Sequence, residues 1–320
     1  MRYKLSVIVP SRNGRELLEE HLAHNFSFLE KYCSLDFELI VVDDGSSDNS
    51  LNWLQKWSSG SDVCRGVRRF EASMNERGFG NACNFGASVA GGDVFLFINN
   101  DVRFNRGSLD KFLTPFSRDA SLACIVPCIY RPSEDIIESI TVGKLGRSAL
   151  RISHNGARRV DPTQQYFVLW PCGAAFACRA SAFHSVNGFA SEYNPAYSED
   201  VDLGIHLWRN GLKTLYFPVL HVTHWHNSTT KKFGSRWVDY HLLRNYYLLN
   251  IKHLNRRHLS SFLLTQFLRS LLSVKWRSLN ALFAALYRGV SFRVRRHHYQ
   301  FTLASTLSRI RSENQFIRPF

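Results

Sequence analysis

Short continuous apolar runs alternate with segments of helical spacing through the first hundred residues, and this alternation constrains the fold most. Uninterrupted apolar runs are typical of parallel strands buried on both faces, whereas apolar residues three or four apart are typical of helices. The predicted strands cover residues 5–9, 37–42, 67–72 and 94–98. The predicted helices between them cover residues 18–29, 50–57 and 81–89. This order predicts an α/β fold with a mostly parallel central sheet flanked by helices.

Polar clusters follow two of these strands, at the sheet edge where ligands bind in open α/β folds. Asp43 and Asp44 follow one strand, and Asn99-Asn100-Asp101 follows another. The carboxylates of Asp43 and Asp44 can accept hydrogen bonds from a nucleobase or a ribose, although the same residues favour a capped turn. Asp101 is a hard oxygen ligand for Mg²⁺ or Mn²⁺ beside substrate phosphates, although it also fits a solvated turn.

The middle of the chain contains a further acidic cluster. Strands are predicted over residues 123–130 and 166–178, and residues 131–165 between them are predicted to be an insertion or flexible loop. Residues 199–208 are a predicted helix whose first turn is acidic, as the helix dipole favours. A carboxylate of the Glu199-Asp200-Val201-Asp202 cluster in that turn can act as a general base, although helix electrostatics alone also accounts for acids there.

Three histidines and a glycine-rich loop are candidates for binding a metal or phosphates. His221, His224 and His226 lie close in sequence, and a neutral imidazole is a good metal ligand. No CxxC or HExxH motif accompanies them, so one histidine that shares a divalent ion with Asp101 is the more economical interpretation. The Gly78-Phe79-Gly80 loop lacks the third glycine of the dinucleotide fingerprint, which argues against a Rossmann oxidoreductase.

The positive charge of the chain is concentrated in its last eighty residues. The formal net charge is +14, yet residues 1–240 hold 26 Lys+Arg against 25 Asp+Glu. Residues 241–320 hold 14 basic residues and one acid, Glu313. Apolar and aromatic residues at helical spacing interleave with these cations, which predicts helices that bind an anionic membrane surface. Packing against the rest of the chain is one alternative, and nucleic-acid binding is a less favoured one.

The cysteines and the N-terminus bear on the cellular compartment. None of the seven cysteines forms a CxxC pair, and most lie in apolar stretches, so we expect buried thiols in a reducing compartment. The N-terminal apolar run is expected to be a strand rather than a signal peptide. No uncharged apolar run reaches the length of about 18 residues that a membrane-spanning helix needs.

Taken in sequence order, a series of motifs resembles the inverting glycosyltransferases of family 2, which have a GT-A fold. The motifs cover residues 6–14, 41–48, 75–86, 97–101, 173–175, 188–189 and 195–203. The resemblance extends over about residues 4–250, and it implies a GT-A-like α/β fold with a Rossmann-like sheet and a C-terminal helical extension. It implies a catalytic domain over residues 1–240 and a basic, amphipathic helical region over residues 241–320.

The resemblance also implies roles for individual residues. Those implied in nucleotide-sugar binding are Pro10, Arg12, Asp43, Asp44, Asn75, Gly80, Asn84, Asn100 and Asp101. Asp101 is the implied ligand of a divalent cation, Mg²⁺ or Mn²⁺, together with His224 or alternatively His226. Asp200 is the implied catalytic base, and Glu199 supports it.

Acceptor contacts are implied less directly. Trp170 and Arg244 are candidates, and residues 240–247 resemble the Arg-Asn segment that follows the core in rhamnosyl- and galactofuranosyl-transferase relatives. The chain departs from the family pattern at two places. Asn99 stands where the DxD motif has its first acid, and Ala190-Ser191 stands where the family has Asp-Glu.

The implied activity is metal-dependent, inverting transfer of a hexosyl or deoxyhexosyl group from a nucleotide sugar to a hydroxyl group. The implied acceptor is lipid-linked or a polysaccharide, as in cell-surface glycan or cell-wall assembly, and the implied location is peripheral, on the cytoplasmic face of the inner membrane. The alternative is a non-catalytic protein that binds a sugar nucleotide or a polyanion through its basic helices.

Overall fold

The computed structural model of the chain describes residues 4–59, 67–71, 77–154, 160–225, 234–272, 276–294 and 299–314. The strands are β1 (Leu5–Ser11), β2 (Phe37–Asp43), β3 (Val67–Glu71), β4 (Val94–Ile98), β5 (Val102–Gly107), β6 (Leu122–Arg131), β7 (Ile136–Ile137), β8 (Val142–Leu145), β9 (Leu150–Ser153), β10 (Tyr166–Phe167), β11 (Ala175–Arg179) and β12 (Lys213–His224). The helices are α1 (Arg15–Leu17), α2 (Ala23–Tyr32), α3 (Ser50–Ser59), α4 (Phe79–Val89), α5 (Leu109–Arg118), α6 (Ala180–Ser185), α7 (Glu199–Arg209), α8 (Ser235–His253), α9 (Arg256–Leu272), α10 (Trp276–Val294) and α11 (Leu303–Glu313). The α/β prediction is confirmed.

One large sheet dominates the fold, in the order β10-β12-β6-β11-β4-β1-β2-β3, with β5 and β7 paired at its side. The four strands β3, β2, β1 and β4 are all parallel. Strand β11 runs antiparallel to both β4 and β6, and β12 returns parallel to β6. Because β1, β2 and β4 are parallel, their carboxyl ends meet at one edge, and the polar clusters after β2 and β4 lie there.

Two hydrophobic cores account for the arrangement. The first is built on the sheet, and the apolar runs of β1, β2 and β4 are buried in it, as strands covered on both faces require. The second joins α7 to the C-terminal helices, with Trp208 of α7 packed among Leu248, Phe262 and Ala285. The C-terminal helices therefore share a core with α7, and the boundary at residue 240 stays a prediction.

Two predictions for the middle of the chain are wrong. In the described residues 131–154, the segment is not a flexible loop, because β7, β8 and β9 lie there and Glu138, Ile140 and Thr141 are buried. Residues 166–178 are not one strand. Strand β10 pairs with β12, and β11 pairs with β4 and β6, while the backbone between them hydrogen-bonds to Thr141 instead. Short strands with long-range partners leave little local pattern in a sequence.

Two further expectations concern thiols and membrane spans. The six cysteines in the described residues are buried free thiols, as expected, and Cys64 lies outside those residues. Across the described part of the chain, no helix combines the length and the apolar character that crossing a bilayer requires.

Candidate active site

A cavity of about 570 Å³ opens at the sheet edge where β1, β2 and β4 end. This volume lies within the usual range for sites that bind small molecules. Its wall includes Pro10, Arg12 and Asp44 beside β1 and β2, Asn99, Asn100 and Asp101 after β4, Arg131, Glu138 and His154 around β7 to β9, residues 195–201 at the start of α7, and His224 at the end of β12. Most of the residues predicted for the site therefore face one cavity.

Asp44 forms the end of the cavity beside β1 and β2. Its carboxylate accepts the backbone N–H of Gly78 at 2.9 and 3.1 Å, and Nη1 of Arg12 lies 4.0 Å from Oδ2. Gly78 has a φ of 132°, a conformation that favours glycine, so this donor depends on the glycine. Burial raises the pKa of Asp44 above its ordinary value, although Gly78 and Arg12 act in the opposite direction. Asp44 is thus a fixed, buried hydrogen-bond acceptor at the cavity wall, and its contact with a nucleoside stays a prediction.

Asp43 lies behind this wall. It is fully buried, and its Oδ1 accepts the backbone N–H of Ser46 at 2.7 Å, which holds the turn after β2. Its Oδ2 accepts no hydrogen bond within the described residues. A contact between Asp43 and a nucleoside stays a prediction.

Asn100 and Asp101 lie at the end of β4, in the middle of the cavity. Nδ2 of Asn100 donates to Oγ of Ser11 at 2.9 Å and ties β4 to β1. Asp101 is 1% exposed, and neither carboxylate oxygen accepts a well-formed hydrogen bond from the described residues. Nε2 of His224 lies 3.2 Å from Oδ1 of Asp101. A buried carboxylate with unused oxygens is costly unless a cation joins it.

The imidazole of His224 bridges two carboxylates. Its Nδ1 lies 2.5 Å from Oε1 of Glu138, and its Nε2 faces Asp101. Burial lowers the pKa of His224, but the contacts of its ring with the carboxylates of Asp101 and Glu138 outweigh burial and raise the pKa to about 9. Two ligand atoms bound to one Mn²⁺ at about 2.1 Å in adjacent positions lie about 3 Å apart, so the separation of Asp101 and His224 fits a shared divalent ion.

Asp200 and Glu199 face the cavity from the first turn of α7. Both oxygens of Asp200 accept a backbone N–H, from Gly173 at 3.0 Å and from Val201 at 2.8 Å, which favours the charged form. Burial raises the pKa of Asp200. Burial and the neighbouring charge of Asp200 raise the pKa of Glu199 to about 8. A charged carboxylate is the form that proton abstraction needs.

Replacement of Glu199 by glutamine is expected to stabilise the fold, and increasingly so as the pH rises. The carboxyl titrates near 4.5 when unfolded and near 8 when folded, so the folded state keeps a proton that the unfolded state releases between these values. The stability that this proton contributes is present below about pH 4.5 and is lost as the pH approaches 8. Glutamine has no proton to lose, so the variant should exceed the wild type in Tm by a few degrees at pH 8 to 9.

Thermal unfolding of Glu199→Gln and the wild type at pH 5 and pH 8.5 measures this difference. Glu30→Gln, at an exposed position of α2, is the matched control and should show no pH-dependent difference. Equal Tm differences at both pH values would show that Glu199 does not titrate as described.

The structure places Trp170 and Arg244 outside the cavity wall, and their roles as acceptor contacts stay predictions. Trp170 is fully buried beneath His154 and does not reach the cavity. The guanidinium of Arg244 is buried and donates to the carbonyls of Tyr193 and Asn194. Arg244 therefore holds the loop that precedes α7.

Two of the predicted donor contacts also lie outside the wall. Asn84 clamps the backbone of Phe189, with its Nδ2 donating to the carbonyl at 2.7 Å and its Oδ1 accepting the N–H at 2.9 Å. Gly80 lies beside Glu199, where a side chain would press on Phe189. Both residues support the wall rather than form it. Asn75 and His226 lie outside the described residues, His224 lines the cavity, and the choice between His224 and His226 as a metal ligand stays a prediction.

Three polar residues of the cavity wall were not identified from the sequence. Arg131, Glu138 and His154 come from the segment that was predicted to be an insertion. Nη2 of Arg131 donates to Oε2 of Glu138 at 2.8 Å, and Nδ1 of His154 donates to the backbone carbonyl of Glu138 at 3.1 Å. No motif marks these residues, because their partners lie far away in the sequence.

A second cluster of metal-ligand types lies outside the cavity. Asp202, His206 and His253 offer ligand atoms close to one another. Asp202, however, already accepts Nζ of Lys252 at 2.9 Å, Nε2 of His253 at 2.7 Å and the hydroxyl of Tyr193 at 2.9 Å. A buried ammonium group in contact with the carboxylate opposes a metal cation there. This cluster is better suited to holding α7 against α8.

Comparison with known proteins bears on the fold. A mannosyltransferase from Pyrobaculum calidifontis, solved with GDP-Man and Mn²⁺, superposes with a TM-score of 0.55 at 14% identity over 99% of this chain and 81% of that one. This likeness confirms the GT-A-like fold.

Relatives found by sequence match only part of this chain or match it at low identity. A dolichol-phosphate mannosyltransferase of Pyrococcus furiosus is 32% identical over 120 residues, which are 38% of this chain and only 32% of that protein. An N-acetylglucosaminyl-diphospho-decaprenol L-rhamnosyltransferase of Mycobacterium tuberculosis is 24% identical over 258 residues, which are 73% of this chain and 81% of that protein.

The family model described as glycosyl transferase family 2 matches residues 6–184, more than half of the chain. This span contains β1, β2 and β4 with the polar residues at their ends, including Asp44 and Asp101. The chain therefore belongs to glycosyltransferase family 2.

Proposed function

We propose that this chain is an inverting, divalent-cation-dependent glycosyltransferase that moves a sugar from a nucleotide-sugar donor to a hydroxyl group of a lipid-linked or polysaccharide acceptor. One observation carries the proposal: Asp101, His224 and Asp200 face the same cavity from three separate elements. If the diphosphate of a donor lies near Asp101 and His224, the anomeric carbon of the donor sugar would lie toward Asp200.

The donor side depends on charge. A nucleoside diphosphate leaves slowly until its negative charge is neutralised, and Asp101 and His224 would hold Mg²⁺ or Mn²⁺ for this purpose. The bound ion supplies Lewis-acid stabilisation of the departing diphosphate. Asp44 would accept a hydrogen bond from the nucleoside. Asn100 and Arg12 line the same cavity, and Arg12 adds positive charge there. The mannosyltransferase of similar fold binds GDP-Man with Mn²⁺, which supports this donor class.

The acceptor side depends on Asp200. Two backbone N–H groups fix its carboxylate, so its free lone pairs keep one direction. The carboxylate of Asp200 removes the proton of the acceptor hydroxyl group. At the same time the hydroxyl oxygen attacks the anomeric carbon of the donor sugar on the side opposite the diphosphate. One in-line displacement inverts the anomeric centre, and no carboxyl group is needed to protonate the leaving group.

The acceptor is proposed to be lipid-linked. The names of two relatives contain dolichol phosphate and N-acetylglucosaminyl-diphospho-decaprenol, both of which are polyprenyl lipids. An enzyme with such a substrate works at a membrane surface, and we place it at the cytoplasmic face of the inner membrane, in cell-surface glycan assembly. Residues 1–240 would carry catalysis, and residues 241–320 would carry the membrane contact.

The exposed apolar residues support this division. Eight of the twelve large exposed hydrophobic residues in the described chain belong to two neighbouring helices: Leu264, Phe267, Leu268, Leu271 and Leu272 of α9, and Trp276, Phe283 and Tyr287 of α10. We call them the apolar helix surface. Exposed Arg256, Arg257, Arg269 and Arg277 lie on the same helices, and residues 241–312 contain no acid. Apolar side chains flanked only by cations complement an anionic lipid surface and leave nucleic acid as a less suitable partner.

The double substitution Phe267→Glu/Leu271→Glu is expected to lower binding to anionic vesicles by at least about tenfold. Both side chains are exposed one turn apart on α9, and burying either in lipid is worth about 1.5–3 kcal/mol. Flotation with phosphatidylglycerol vesicles at moderate salt measures the change. Tyr32→Glu is the control. Tyr32 is a similarly exposed aromatic residue on α2, so this variant adds a negative charge away from α9 and α10 and should float like the wild type. Failure of the wild type to float would remove the membrane proposal.

A panel of nucleotide sugars tests the activity itself. Each donor is incubated with the protein, Mg²⁺ or Mn²⁺, and a polyprenyl-diphosphate-linked sugar, and the lipid product and the released nucleoside diphosphate are measured. One donor class should be consumed, with one sugar added to the lipid and the anomeric configuration inverted. Tight binding of a donor without any turnover would favour the non-catalytic alternative.

A further inference from the structure

Glu138 is a buried carboxylate at the cavity wall. It is 2% exposed and lies just after β7. Burial of a charged carboxylate is expensive unless it is paired and hydrogen-bonded. Arg131 meets that need, with Nε at 3.2 Å and Nη2 at 2.8 Å from Oε2. The second oxygen, Oε1, is left to contact His224.

The carboxylate and the backbone of Glu138 each hold a histidine of the cavity. Oε1 lies 2.5 Å from Nδ1 of His224, and the backbone carbonyl accepts Nδ1 of His154 at 3.1 Å. A carboxylate or a carbonyl can only accept, so in both rings Nδ1 carries the proton. Nε2 of His224 is the ring atom that faces Asp101, and His154 also lines the cavity.

We propose that Glu138 is a positioning residue for the cation site: its carboxylate, fixed by Arg131, holds His224 with Nδ1 protonated and Nε2 directed at the ion shared with Asp101. This inference rests on the cation role proposed above. Carboxylates commonly orient metal-binding histidines in this way, and their loss typically weakens metal binding about 10- to 100-fold. The segment from β7 to β9 thereby belongs to the donor site, although it contributes no ligand of its own.

The pair Glu134 and Glu138 allows a matched comparison. Both accept from Arg131, but Glu134 is exposed and bonds only Nη1 at 2.7 Å, while Glu138 alone contacts His224. Glu138→Gln keeps the shape of the side chain and removes its charge. Glu134→Gln makes the same chemical change on the same arginine, away from the histidine.

Binding of Mn²⁺ to the full chain is followed by the electron paramagnetic resonance signal of free Mn²⁺. Glu138→Gln should raise the Kd for Mn²⁺ about 10- to 100-fold, whereas Glu134→Gln should leave it unchanged. Melting curves verify that both variants fold. If Asp101→Asn abolishes Mn²⁺ binding and Glu138→Gln leaves it at the wild-type value, the positioning role is wrong and the cation site stands. Absence of specific Mn²⁺ binding in the wild type would overturn both.

The ring nitrogens provide a readout that a merely structural role would not change. Two-dimensional ¹⁵N spectra of histidine-labelled protein report the tautomer of each ring, and His224→Gln identifies the signals of His224. In Glu138→Gln the His224 signals should shift, while those of His154, held by the backbone carbonyl, should stay in place. Unchanged His224 signals in that variant would contradict the proposal.

Discussion

Replacement of Asp200 by asparagine is expected to lower turnover by about 10²- to 10⁴-fold while binding of the donor and Mn²⁺ stays at wild-type strength. A positioned general base contributes about this factor. The amide keeps the size of the side chain and its single oxygen can still accept from one of the two backbone N–H groups, of Gly173 or Val201, but it cannot take a proton. The measurement is steady-state release of nucleoside diphosphate with saturating donor and acceptor.

Asp110→Asn is the control for this substitution. Asp110 also lies in the first turn of a helix and accepts a backbone N–H, from Ser34, but on α5 away from the cavity. It should retain wild-type turnover. If Asp200→Asn turns over at a near-normal rate, Asp200 is not the base.

Replacement of Asp101 by asparagine is expected to abolish cation-dependent turnover, by at least about a thousandfold. An ion that neutralises the leaving diphosphate is worth several kcal/mol, and each 1.36 kcal/mol is about tenfold in rate. Asp101 is the buried carboxylate whose oxygens have no well-formed hydrogen bond, so its loss removes the anionic ligand of the site. Turnover is measured over a series of Mn²⁺ and Mg²⁺ concentrations.

Chelation is the companion experiment for Asp101. EDTA should reduce the wild type to the level of Asp101→Asn, and added Mn²⁺ should restore only the wild type. Full activity of the wild type in EDTA would show that the cation role is wrong, whatever the effect of the substitution.

The sheet could be predicted because its signal is local. In β1, β2 and β4 each apolar run is buried on both faces, so burial and sequence coincide, and the polar residues that follow must lie at the carboxyl edge. Asp44, Asp101 and Asp200 could be identified for the same reason, since each follows or begins a regular element. The fold then brings Asp44, Asp101 and Asp200 to one cavity.

The remaining part of the site depends on contacts across long stretches of sequence. Glu138 and His224 are 86 residues apart, and neither lies in a pattern that points to the other. The segment from β7 to β9 is short-stranded and polar, which is also typical of a loop, so its buried carboxylate could not be distinguished from a solvated one.

Arg244 has a structural contact that the sequence did not predict. The sequence predicts a cation beside an anionic acceptor, whereas in the structure Arg244 and Asn245 donate to carbonyls of the loop before α7. That loop contains Tyr197 and Ser198 with φ of 80° and 70°, a strained conformation that needs support. These residues keep the first turn of α7, and with it Asp200, in place.

The most direct test of the cation and donor site is a crystal structure with Mn²⁺ and the nucleotide sugar that the donor panel identifies. Anomalous scattering from manganese locates the ion without reference to the model of the protein. We expect one strong peak in contact with Asp101 and Nε2 of His224, beside the donor diphosphate and with Asp200 facing the sugar. Manganese at Asp202, His206 and His253 instead, or a donor bound outside the cavity, would contradict the account.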